Sequence, residues 1–425
     1  MSSYHSFIFR LFAAYIHFGS LEVRLRGQKT VSASGEQAGP HIIISLSNHK
    51  LLYRFLINAE LAIPEAYMDG ELRLINTSLD EFLVFLIRNK QHYHHHRLRR
   101  LIFQIRGVIT WLKGRIKHKK AKANVAHHYD LTDRLYQSFL DDRRQYSCAY
   151  FRDGDNLDQA QRRKISRLAA KLRLKEGGRL LDIGCGWGEL AYALYTLEDT
   201  LDIKGITLSE NQLHYALRMV QIRKADENLE FALQDYRDEQ GCYDHIISVG
   251  MLEHVGFHSY QDYFNLIDKC LNDTGTAVIH TIGKQSAHYA GSPFIEKYIF
   301  PGGYLPTLGE LGDAIAKTNL HIIDVEAMHN HYAETLRHWR DRFCEQKAEM
   351  IALYDERFFR MWNFYLAGCE YYFRLDEGVV YQIQLSKNRG QKPSNRDYIA
   401  QFEQRYLEKL CNHHDHSGKQ KHSVK

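Results

Sequence analysis

Alternating apolar and polar positions near the start of the chain predict a pair of strands. Leu21–Leu25 and His41–Leu46 alternate with the two-residue period of a half-buried strand, and a loop is expected between them at Ser32–Pro40. Apolar positions then recur with helical spacing at Asn48–Glu60 and at Leu79–Arg88. This order of elements predicts a small α+β segment at the amino-terminal end.

The most informative pattern is an apolar run that leads into a glycine-spaced turn and then into a helix. Leu180–Ala191 reads LLDIGCGWGELA, with Gly184, Gly186 and Gly188 at alternate positions. Glycine lets the backbone turn sharply and approach a ligand closely, and the helix that follows offers unpaired N–H groups. The segment therefore predicts a binding site for a nucleotide-like cofactor.

Further strand and helix patterns follow this turn. Strands are expected to end at Thr207 and at Gln234, and two more are expected at Tyr243–Gly250 and Thr276–Ile282. Strands that alternate with helices form parallel sheets, and open sheets of this kind bind ligands at the carboxyl ends of their strands. The fold class expected is α/β, a Rossmann-like sheet with helices on both faces, preceded by the small α+β domain.

The residues after the second strand of this sheet distinguish two kinds of cofactor. A dinucleotide-binding fold usually places an acidic residue there to hold the ribose, whereas this chain has Thr207 and Ser209, followed by Gln212. Their hydroxyl and amide groups can bind the ribose without a charge. Asp235 can accept a hydrogen bond from an adenine amino group while Tyr236 packs on the ring. The pattern favours S-adenosylmethionine over a dinucleotide.

A long basic segment lies between these two regions. From Phe82 to Tyr129 the chain has no Asp or Glu but twelve Lys and Arg residues, so with a formal net charge of +5 the remainder carries about −7. An apolar stripe recurs there at helical spacing: Leu98, Ile102, Ile105, Ile109, Leu112 and Ile116. Two interpretations stay open, a core-packed helix with a solvated charged face or an interfacial element for anionic lipid. Nucleic acid is disfavoured because no recognised nucleic-acid module accompanies the charge.

Composition narrows the class of protein further. At 425 residues with 44% hydrophobic content, the chain predicts two domains. The apolar run Phe7–Phe18 is short and interrupted by Arg10, so neither a membrane span nor a signal peptide is expected, and the protein is expected in the cytoplasm. The seven cysteines show no Cys-x-x-Cys spacing, and His92 and His94–His96 would point in several directions on a helix. No metal site is expected.

Six motifs, in order along the chain, carry a resemblance to a known family. They are Tyr146–Tyr150 (YSCAY), Asp182–Gly188 (DIGCGWG), Gly250–Gly256 (GMLEHVG), His280–Gly283 (HTIG), Lys297–Gly302 (KYIFPG) and His331–Leu336 (HYAETL). With these motifs the chain resembles the cyclopropane-fatty-acyl-phospholipid synthases from about His127 to Ser386. It departs from them at Glu189, where the family often has glycine, and at Leu252, where phenylalanine is frequent. A Glu189 side chain turned inward would repel the carboxylate of the cofactor.

The resemblance implies an activity and a set of site residues. It implies that a methylene group passes from S-adenosylmethionine to the cis double bond of an unsaturated phospholipid acyl chain, through a carbocation that bound bicarbonate deprotonates. The implied bicarbonate ligands are Cys148, Glu253, His280, the backbone of Ile282, and Tyr332. The expected cofactor-binding residues are Tyr129, Tyr146, Ser147, Asp182, Gly184, Gly186, Gly188, Thr207, Ser209, Gln212, Asp235 and Tyr236. Aromatic faces stabilise cations, and Tyr298, Phe300 and Tyr304 are candidates for that role.

These observations predict four segments. They are a lipid-engaging α+β domain (1–96), a basic amphipathic join (97–125), the methyltransferase domain (126–395), and a C-terminal helix with a disordered polar tail (396–425). The expected partners are unsaturated acyl chains and an anionic membrane surface, the inner face of the cell membrane, with a homodimer left open. Two alternatives also stay open: a sister enzyme that leaves a methylene- or methyl-branched chain, and an inactive lipid-binding protein.

Overall fold

The structure is a computed structural model that describes residues 15–25, 30–93, 132–225, 227–286, 291–388, 393 and 395–418. Most of the basic segment, together with Tyr129 and His94–His96, lies outside these residues. Within them the chain forms two compact units.

The strands, in chain order, are β1 (Phe18–Leu25), β2 (Val31–Ser34), β3 (Gln37–Leu46), β4 (Leu72–Leu74), β5 (Arg179–Ile183), β6 (Asp202–Thr207), β7 (Leu229–Leu233), β8 (Tyr243–Val249), β9 (Leu271–Lys284), β10 (His321–Met328) and β11 (Gly378–Ser386). The helices are α1 (Lys50–Met68), α2 (Leu79–Tyr93), α3 (Asp133–Phe139), α4 (Leu157–Leu172), α5 (Glu189–Leu197), α6 (Glu210–Arg223), α7 (Leu252–Val255), α8 (Tyr260–Cys270), α9 (Pro293–Tyr298), α10 (Leu308–Ile315), α11 (Asn330–Glu345), α12 (Lys347–Leu353), α13 (Glu356–Leu375) and α14 (Asp397–Gly418).

The first unit contains a small mixed sheet of strand order β2-β1-β3-β4. β1 pairs parallel with β3 and antiparallel with β2. The alternation in β3 has the predicted outcome, because Ile42, Ile44 and Leu46 are buried. The loop predicted at Ser32–Pro40 is wrong: it contains most of β2 and the start of β3, because backbone pairing with β1 outweighs the polar character of the segment VSAS.

The first unit is built from separated parts of the chain. Besides the N-terminal elements it includes the described residues of Ser286–Pro301 and Leu336–Gly378, which hold α9, α12, α13 and part of α11. The sequence prediction assigned both segments to a continuous methyltransferase domain over 126–395, so the division found in the structure differs from it.

Specific contacts explain why these later segments belong to the first unit. The Phe294 ring packs edge-on against Phe364, with centroids 5.5 Å apart, and Tyr67 of α1 packs on the same Phe364 ring at 5.6 Å. The Lys297 ammonium group lies 2.6 Å from the Glu65 carboxylate of α1. Tyr67 and Glu65 of helix α1 therefore each have a partner more than two hundred residues later in the chain.

The second unit contains a larger sheet of strand order β10-β11-β9-β8-β5-β6-β7. From β9 to β7 each neighbouring pair is parallel, and β10 pairs antiparallel with β11. The central strands are apolar and buried, as strands covered by helices on both faces must be: four of the five residues of β5 are buried, and so are all nine of β11. The predicted Rossmann-like α/β class is confirmed.

The C-terminal helix α14 belongs to this second unit. Its buried Ile399, Tyr406 and Leu410 join the same apolar cluster as Ile165 and Leu168 of α4. The boundary predicted at residue 395 therefore does not separate a distinct segment. The disordered polar tail was predicted to follow a C-terminal helix within 396–425. In the structure this helix, α14, continues to Gly418.

Within the described part of the chain, the helices are too short or too polar to cross a membrane.

Candidate active site

The glycine turn lies at the carboxyl end of β5, an inner strand of the larger sheet that pairs with β8 and β6. The backbone N–H groups of Gly184 and Cys185 both donate to the Ile206 carbonyl, at 2.9 and 3.0 Å, which fixes the turn against β6. Gly186 has φ of +56°, and a Cβ atom built there would meet only the Gln212 amide nitrogen, at 3.9 Å. The backbone at Gly186 therefore faces open space that a ligand can enter.

Gly188 has a different reason to be glycine. Its φ is +77°, and an added Cβ would lie 2.6 Å from the Phe231 ring and 2.9 Å from Ala216. Close packing of helix α5 on the sheet requires this glycine, so of the two residues it is Gly186 that leaves room for a cofactor.

Three predicted ribose-binding residues lie together opposite this turn. The Thr207 hydroxyl donates to Gln212 Oε1 at 3.2 Å, and the Ser209 hydroxyl accepts from the Gln212 backbone N–H at 3.3 Å, where it caps α6. All three residues are buried. The structure thus brings these neutral polar groups into one cluster beside Gly186.

Asp182 and Lys164 form a buried polar layer next to the turn. The Asp182 side chain is 1% exposed, and no described residue provides a hydrogen bond to its Oδ2. Burial raises the pKa of Asp182 to about 7, against the opposing charge of Lys164. The Lys164 ammonium donates to Gln145 Oε1 at 2.5 Å and to Ser147 Oγ at 3.1 Å, which places the predicted Ser147 in this layer. Lys164 itself was not predicted, since a single lysine within a helix gives no distinguishing signal.

Asp235 and Tyr236 have partners of their own. Asp235 holds the Arg237 guanidinium with both carboxylate oxygens, and the Tyr236 ring packs edge-on against Tyr263 with centroids 5.5 Å apart. For Asp235 to accept from an adenine amino group it would have to share its oxygens with Arg237. Their role in adenine binding stays a prediction.

An aromatic cluster lies beside the glycine turn, and it was not predicted from the sequence. The Trp187 ring is 4.8 Å from that of Tyr136, centroid to centroid, and Tyr136 in turn packs edge-on against Tyr146 at 5.5 Å. The predicted Tyr146 is thereby tied to the turn through two other rings. The tryptophan inside the glycine motif was the available signal.

Glu189, the departure from the family pattern, is neutralised by a cation. Its carboxylate accepts from both terminal nitrogens of Arg223, at 2.8 and 2.9 Å, and from the Tyr215 hydroxyl at 3.1 Å. The side chain is 2% exposed. Because its charge is paired with Arg223 on α6, Glu189 does not present a free carboxylate to the glycine turn.

Glu253 is held at the start of the short helix α7. The Ile282 backbone N–H donates to Glu253 Oε1 at 2.6 Å. The other oxygen, Oε2, is buried and lies within hydrogen-bond distance and angle of no described donor. Burial raises the pKa of Glu253 to about 7. Ile282 therefore contacts the candidate acid through its backbone, and the free oxygen of Glu253 can donate to or accept from a small ligand.

Thr335, on the helix that carries Tyr332, contacts the chain beside Cys148. The Thr335 hydroxyl accepts from the backbone N–H of Ala149 at 3.0 Å and donates to the His331 carbonyl at 2.7 Å. Tyr332 is buried on α11 three residues before Thr335, which puts both on one face of the helix. Burial raises the pKa of the Cys148 thiol, so it stays protonated and can act as a weak donor.

His280 completes the set on β9, two residues before Ile282. It is 2% exposed, and burial, together with the positive charges of Lys164 and Lys171, lowers its pKa to about 3. Lys164 also lies close enough to Cys148 to interact with it electrostatically. Cys148 and His280 thus share Lys164 as a neighbour, and Ile282, on the same strand as His280, contacts Glu253.

The three predicted cation-stabilising rings do not form one group within a unit. Tyr304 lies in the second unit, where its backbone N–H donates to the Glu253 carbonyl at 3.0 Å. Tyr298 and Phe300 belong to the first unit, where the Tyr298 hydroxyl donates to Glu65 Oε1 at 2.9 Å. Tyr304 is the ring that the structure places beside a candidate catalytic residue. No group of residues that could hold a metal ion occurs in the described ranges.

The strand order of the larger sheet and the glycine turn that follows β5 define the Rossmann-like methyltransferase class. Comparison with known proteins narrows this class. The family model for mycolic acid cyclopropane synthetase matches residues 116–383. The chain is 34% identical over 354 residues to the cyclopropane-fatty-acyl-phospholipid synthase of Escherichia coli, covering 81% of this chain and 87% of that one.

Two further relatives come from Mycobacterium tuberculosis. The tuberculostearic acid methyltransferase UfaA1 is 38% identical over 280 residues, which cover 63% of this chain and 65% of that one. The solved structure of the cyclopropane synthase MmaA2 superposes with a TM-score of 0.60 at 32% identity, covering 63% of this chain and 98% of that one. The chain belongs to the cyclopropane synthase family of S-adenosylmethionine-dependent methyltransferases.

Proposed function

We propose that the protein transfers a methylene group from S-adenosylmethionine to the cis double bond of an unsaturated phospholipid acyl chain and so forms a cyclopropane ring. The observation that carries the proposal is the buried Glu253 carboxyl: Ile282 holds one of its oxygens, and the other is buried without a hydrogen-bond partner among the described residues. An isolated alkene is a weak nucleophile, so the reaction needs an activated methyl donor, close positioning and a base for the new methyl group.

The residues around the glycine turn fit S-adenosylmethionine. When bound, the cofactor supplies an electrophilic methyl group on a sulfonium. Open space in front of Gly186 accommodates its close approach, and the cluster of Thr207, Ser209 and Gln212 offers neutral hydrogen-bonding groups to a ribose. The unpartnered, buried Asp182 Oδ2 suits an ammonium group of the ligand. These contacts support the predicted cofactor residues.

The second cluster fits a small anion, and we propose bicarbonate. Bound there, bicarbonate supplies the base that removes a proton as the ring closes. The Cys148 thiol is protonated and His280 is uncharged, so both can donate a hydrogen bond without adding a counter-charge. Tyr332 adds a phenol, and Glu253 donates when protonated, which its raised pKa favours below about 7. The Ile282 N–H, already bound to Glu253 Oε1, orients this acid toward the ligand.

A branched product is the second candidate function. The methyltransferase UfaA1 has a higher identity to this chain than the Escherichia coli synthase, 38% against 34%, although over a smaller share of the chain. Both reactions share the methyl transfer and the carbocation, and they differ in how that cation loses its charge.

Lipid analysis decides between the two products. Fatty acids from cells that make no cyclopropane lipids of their own are examined by mass spectrometry and proton NMR after the chain is expressed. A gain of one CH2 with high-field ring protons is expected from the proposed function. A methyl or methylene branch would favour the second candidate function over the proposed one. If the protein is soluble and binds the cofactor but the lipids are unchanged, both candidate functions are contradicted.

The role of Glu253 is tested by Glu253→Ala in the purified enzyme. Turnover should fall by about a hundredfold or more, the contribution typical of a positioned proton-transfer group, while S-adenosylmethionine binding is retained. Glu230→Ala, which changes an exposed glutamate of the same unit, is the matched control and should turn over normally. An active Glu253→Ala enzyme, with wild-type turnover that does not respond to removal of dissolved carbonate, would mean that another base acts.

We place this reaction at the inner face of the cell membrane, to which the protein binds peripherally. The double bond of a phospholipid lies within a bilayer, so the enzyme must dock before an acyl chain can enter it. The basic amphipathic join (97–125) can attract anionic headgroups, at roughly 1 kcal/mol for each Lys or Arg near the surface. Without this basic join, the anionic headgroups would repel the remainder of the chain, which is acidic.

A further inference from the structure

A row of buried hydrogen bonds leads from a surface ion-pair network to His280. The Lys171 ammonium of α4 donates to Glu326 Oε2 on β10 at 2.7 Å and to Gln382 Oε1 on β11 at 2.8 Å. The Gln382 amide nitrogen then lies 3.1 Å from His280 Nδ1 on β9. Lys171 and Gln382 are fully buried, with exposure of 0%.

The chemistry of these groups fixes the direction of each bond. An ammonium group can only donate, so the oxygen of the Gln382 amide must face Lys171. The amide nitrogen, which also only donates, is thereby turned toward His280 Nδ1. His280 accepts at Nδ1, and a neutral imidazole that accepts at one nitrogen carries its hydrogen on the other. The ring therefore presents an N–H from Nε2 on the side away from Gln382.

The outer end of the row is anchored by ion pairs. Arg167 donates to both Glu326 oxygens, at 2.7 and 2.8 Å, and reaches Glu403 on α14 at 2.7 Å. Hydrogen bonds from Arg167 and Lys171 outweigh burial and hold the pKa of Glu326 at about 2, so this carboxylate is ionised. An ionised Glu326 keeps Lys171 in place by accepting one of its three N–H groups, and a second N–H donates to Gln382.

We propose that Gln382 and Lys171 are positioning residues that hold His280 as the tautomer with its hydrogen on Nε2, so that the ring donates to the bound anion. The proposal rests on the proposed function, because bicarbonate is the anion in question. The other tautomer would direct a nitrogen lone pair at an anionic oxygen and repel it. The charged groups that interact with His280 are Lys164 and Lys171 from α4 and Glu326 from β10.

The test exchanges the amide of Gln382 for a carboxylate. In Gln382→Glu the new carboxylate accepts from both Lys171 and His280, so the imidazole hydrogen moves to Nδ1 and its Nε2 becomes an acceptor. We expect the bicarbonate KM to rise at least tenfold at pH about 8, with unchanged S-adenosylmethionine binding. The new carboxylate also stabilises the protonated ring and so raises the pKa of His280 in the variant. As the pH falls to about 6.5, a larger fraction of the variant's His280 is therefore imidazolium, which donates from both nitrogens. The bicarbonate KM of the variant should then return toward that of the wild type at equal bicarbonate concentration.

Two comparisons separate positioning from a general disturbance of β11. Gln384→Glu introduces a carboxylate two residues along the strand, where the amide donates to the Lys171 carbonyl at 2.7 Å and does not contact His280. It should lower stability while the bicarbonate KM varies with pH as it does in the wild type. Gln382→Met keeps the side-chain length, and because His280 then loses its donor, the bicarbonate KM should rise a few-fold at every pH. This second variant also carries the test if Gln382→Glu does not fold.

Histidine NMR reads the tautomer without relying on turnover. The His280 resonances are assigned in isotope-labelled protein as those that disappear in His280→Asn. In the wild type they should show the ring hydrogen on Nε2. In Gln382→Glu they should show it on Nδ1. A wild-type hydrogen on Nδ1, or a bicarbonate KM unchanged in both Gln382 variants while the wild type requires bicarbonate, would overturn the positioning role. Wild-type turnover that is indifferent to bicarbonate, with the expected NMR result, would instead count against bicarbonate as the base.

Discussion

Replacing Glu253 with glutamine should make the ligand-free protein more stable at alkaline pH and change little at acid pH. Burial raises the pKa of this carboxyl from 4.5 to about 7, so the folded state holds the Glu253 proton more tightly than the unfolded chain does. The stabilisation from this proton is complete below a pH of about 4.5 and is lost as the pH rises through about 7. Glutamine has no proton to lose and can still accept from Ile282.

The size of the effect follows from the pKa shift. At about 1.4 kcal/mol for each pKa unit, a rise from 4.5 to about 7 corresponds to about 3 kcal/mol between pH 4 and pH 8. The difference in free energy of unfolding between Glu253→Gln and the wild type should therefore grow by about 3 kcal/mol across this range. All other titrating groups are common to both proteins and cancel in the difference.

Urea titrations at a series of pH values measure this difference. Glu239→Gln is a control of opposite sign, because hydrogen bonds from Lys204 and the Gly241 backbone outweigh burial and lower the pKa of Glu239 to about 2. Its glutamine variant should be less stable than the wild type by a nearly constant amount from pH 5.5 to pH 8. A Glu253→Gln difference that is flat over the range, or that grows toward acid pH, would refute the assigned burial of this carboxyl.

Three further predictions concern the cofactor turn, the Glu189 ion pair and the basic segment. Gly186→Val should abolish S-adenosylmethionine binding in calorimetry while the protein stays folded, and wild-type affinity in that variant would contradict the assigned site. Arg223→Met should lower the free energy of unfolding by about 3 kcal/mol, because it leaves the Glu189 carboxylate buried without its cation. Adding Glu189→Gln should recover that loss in the same urea titration, and no recovery would mean that the two residues are not coupled. Replacing four lysines of the basic segment with glutamine should weaken binding to anionic vesicles and flatten the salt dependence of that binding, with unchanged cofactor affinity. If the variant pelleted with vesicles as completely as the wild type across a salt series, the segment would have a structural role instead. The residues changed are Lys113, Lys117, Lys119 and Lys120.

Local patterns in the sequence predicted the features that depend on local structure. The apolar run and glycines of Leu180–Ala191 form β5, the turn and the start of α5, because strand, turn and helix are each encoded within a few neighbouring residues. The helix predicted to end at Glu60 instead continues as α1 to Met68, past a non-helical residue at Asn58 and through Pro64. Packing of the later turns, where Ala62, Ala66 and Met68 are buried, outweighs these helix-breaking signals.

Features that depend on distant partners were not predictable. Nothing near Glu65 shows that Lys297 will bind it, so the composition of the first unit could not be derived from the chain. The row from Lys171 through Gln382 to His280 likewise joins single residues of three elements, with no spacing or composition to reveal it. The pairing of Glu189 with Arg223, by contrast, joins neighbouring helices and could have been proposed from the one unusual glutamate in the glycine motif.

The discontinuous first unit has a consequence for the order in which the chain folds during synthesis. The N-terminal strands leave the ribosome first, but the Phe364 ring on which Tyr67 packs is made about three hundred residues later. Until α9 and α13 have emerged, α1 lacks two of the helices that it packs against, and its apolar surface is exposed to chaperones or to aggregation. A fragment ending near residue 96 should therefore be poorly soluble when expressed alone. Coexpressing the remainder of the chain would supply the missing helix in trans.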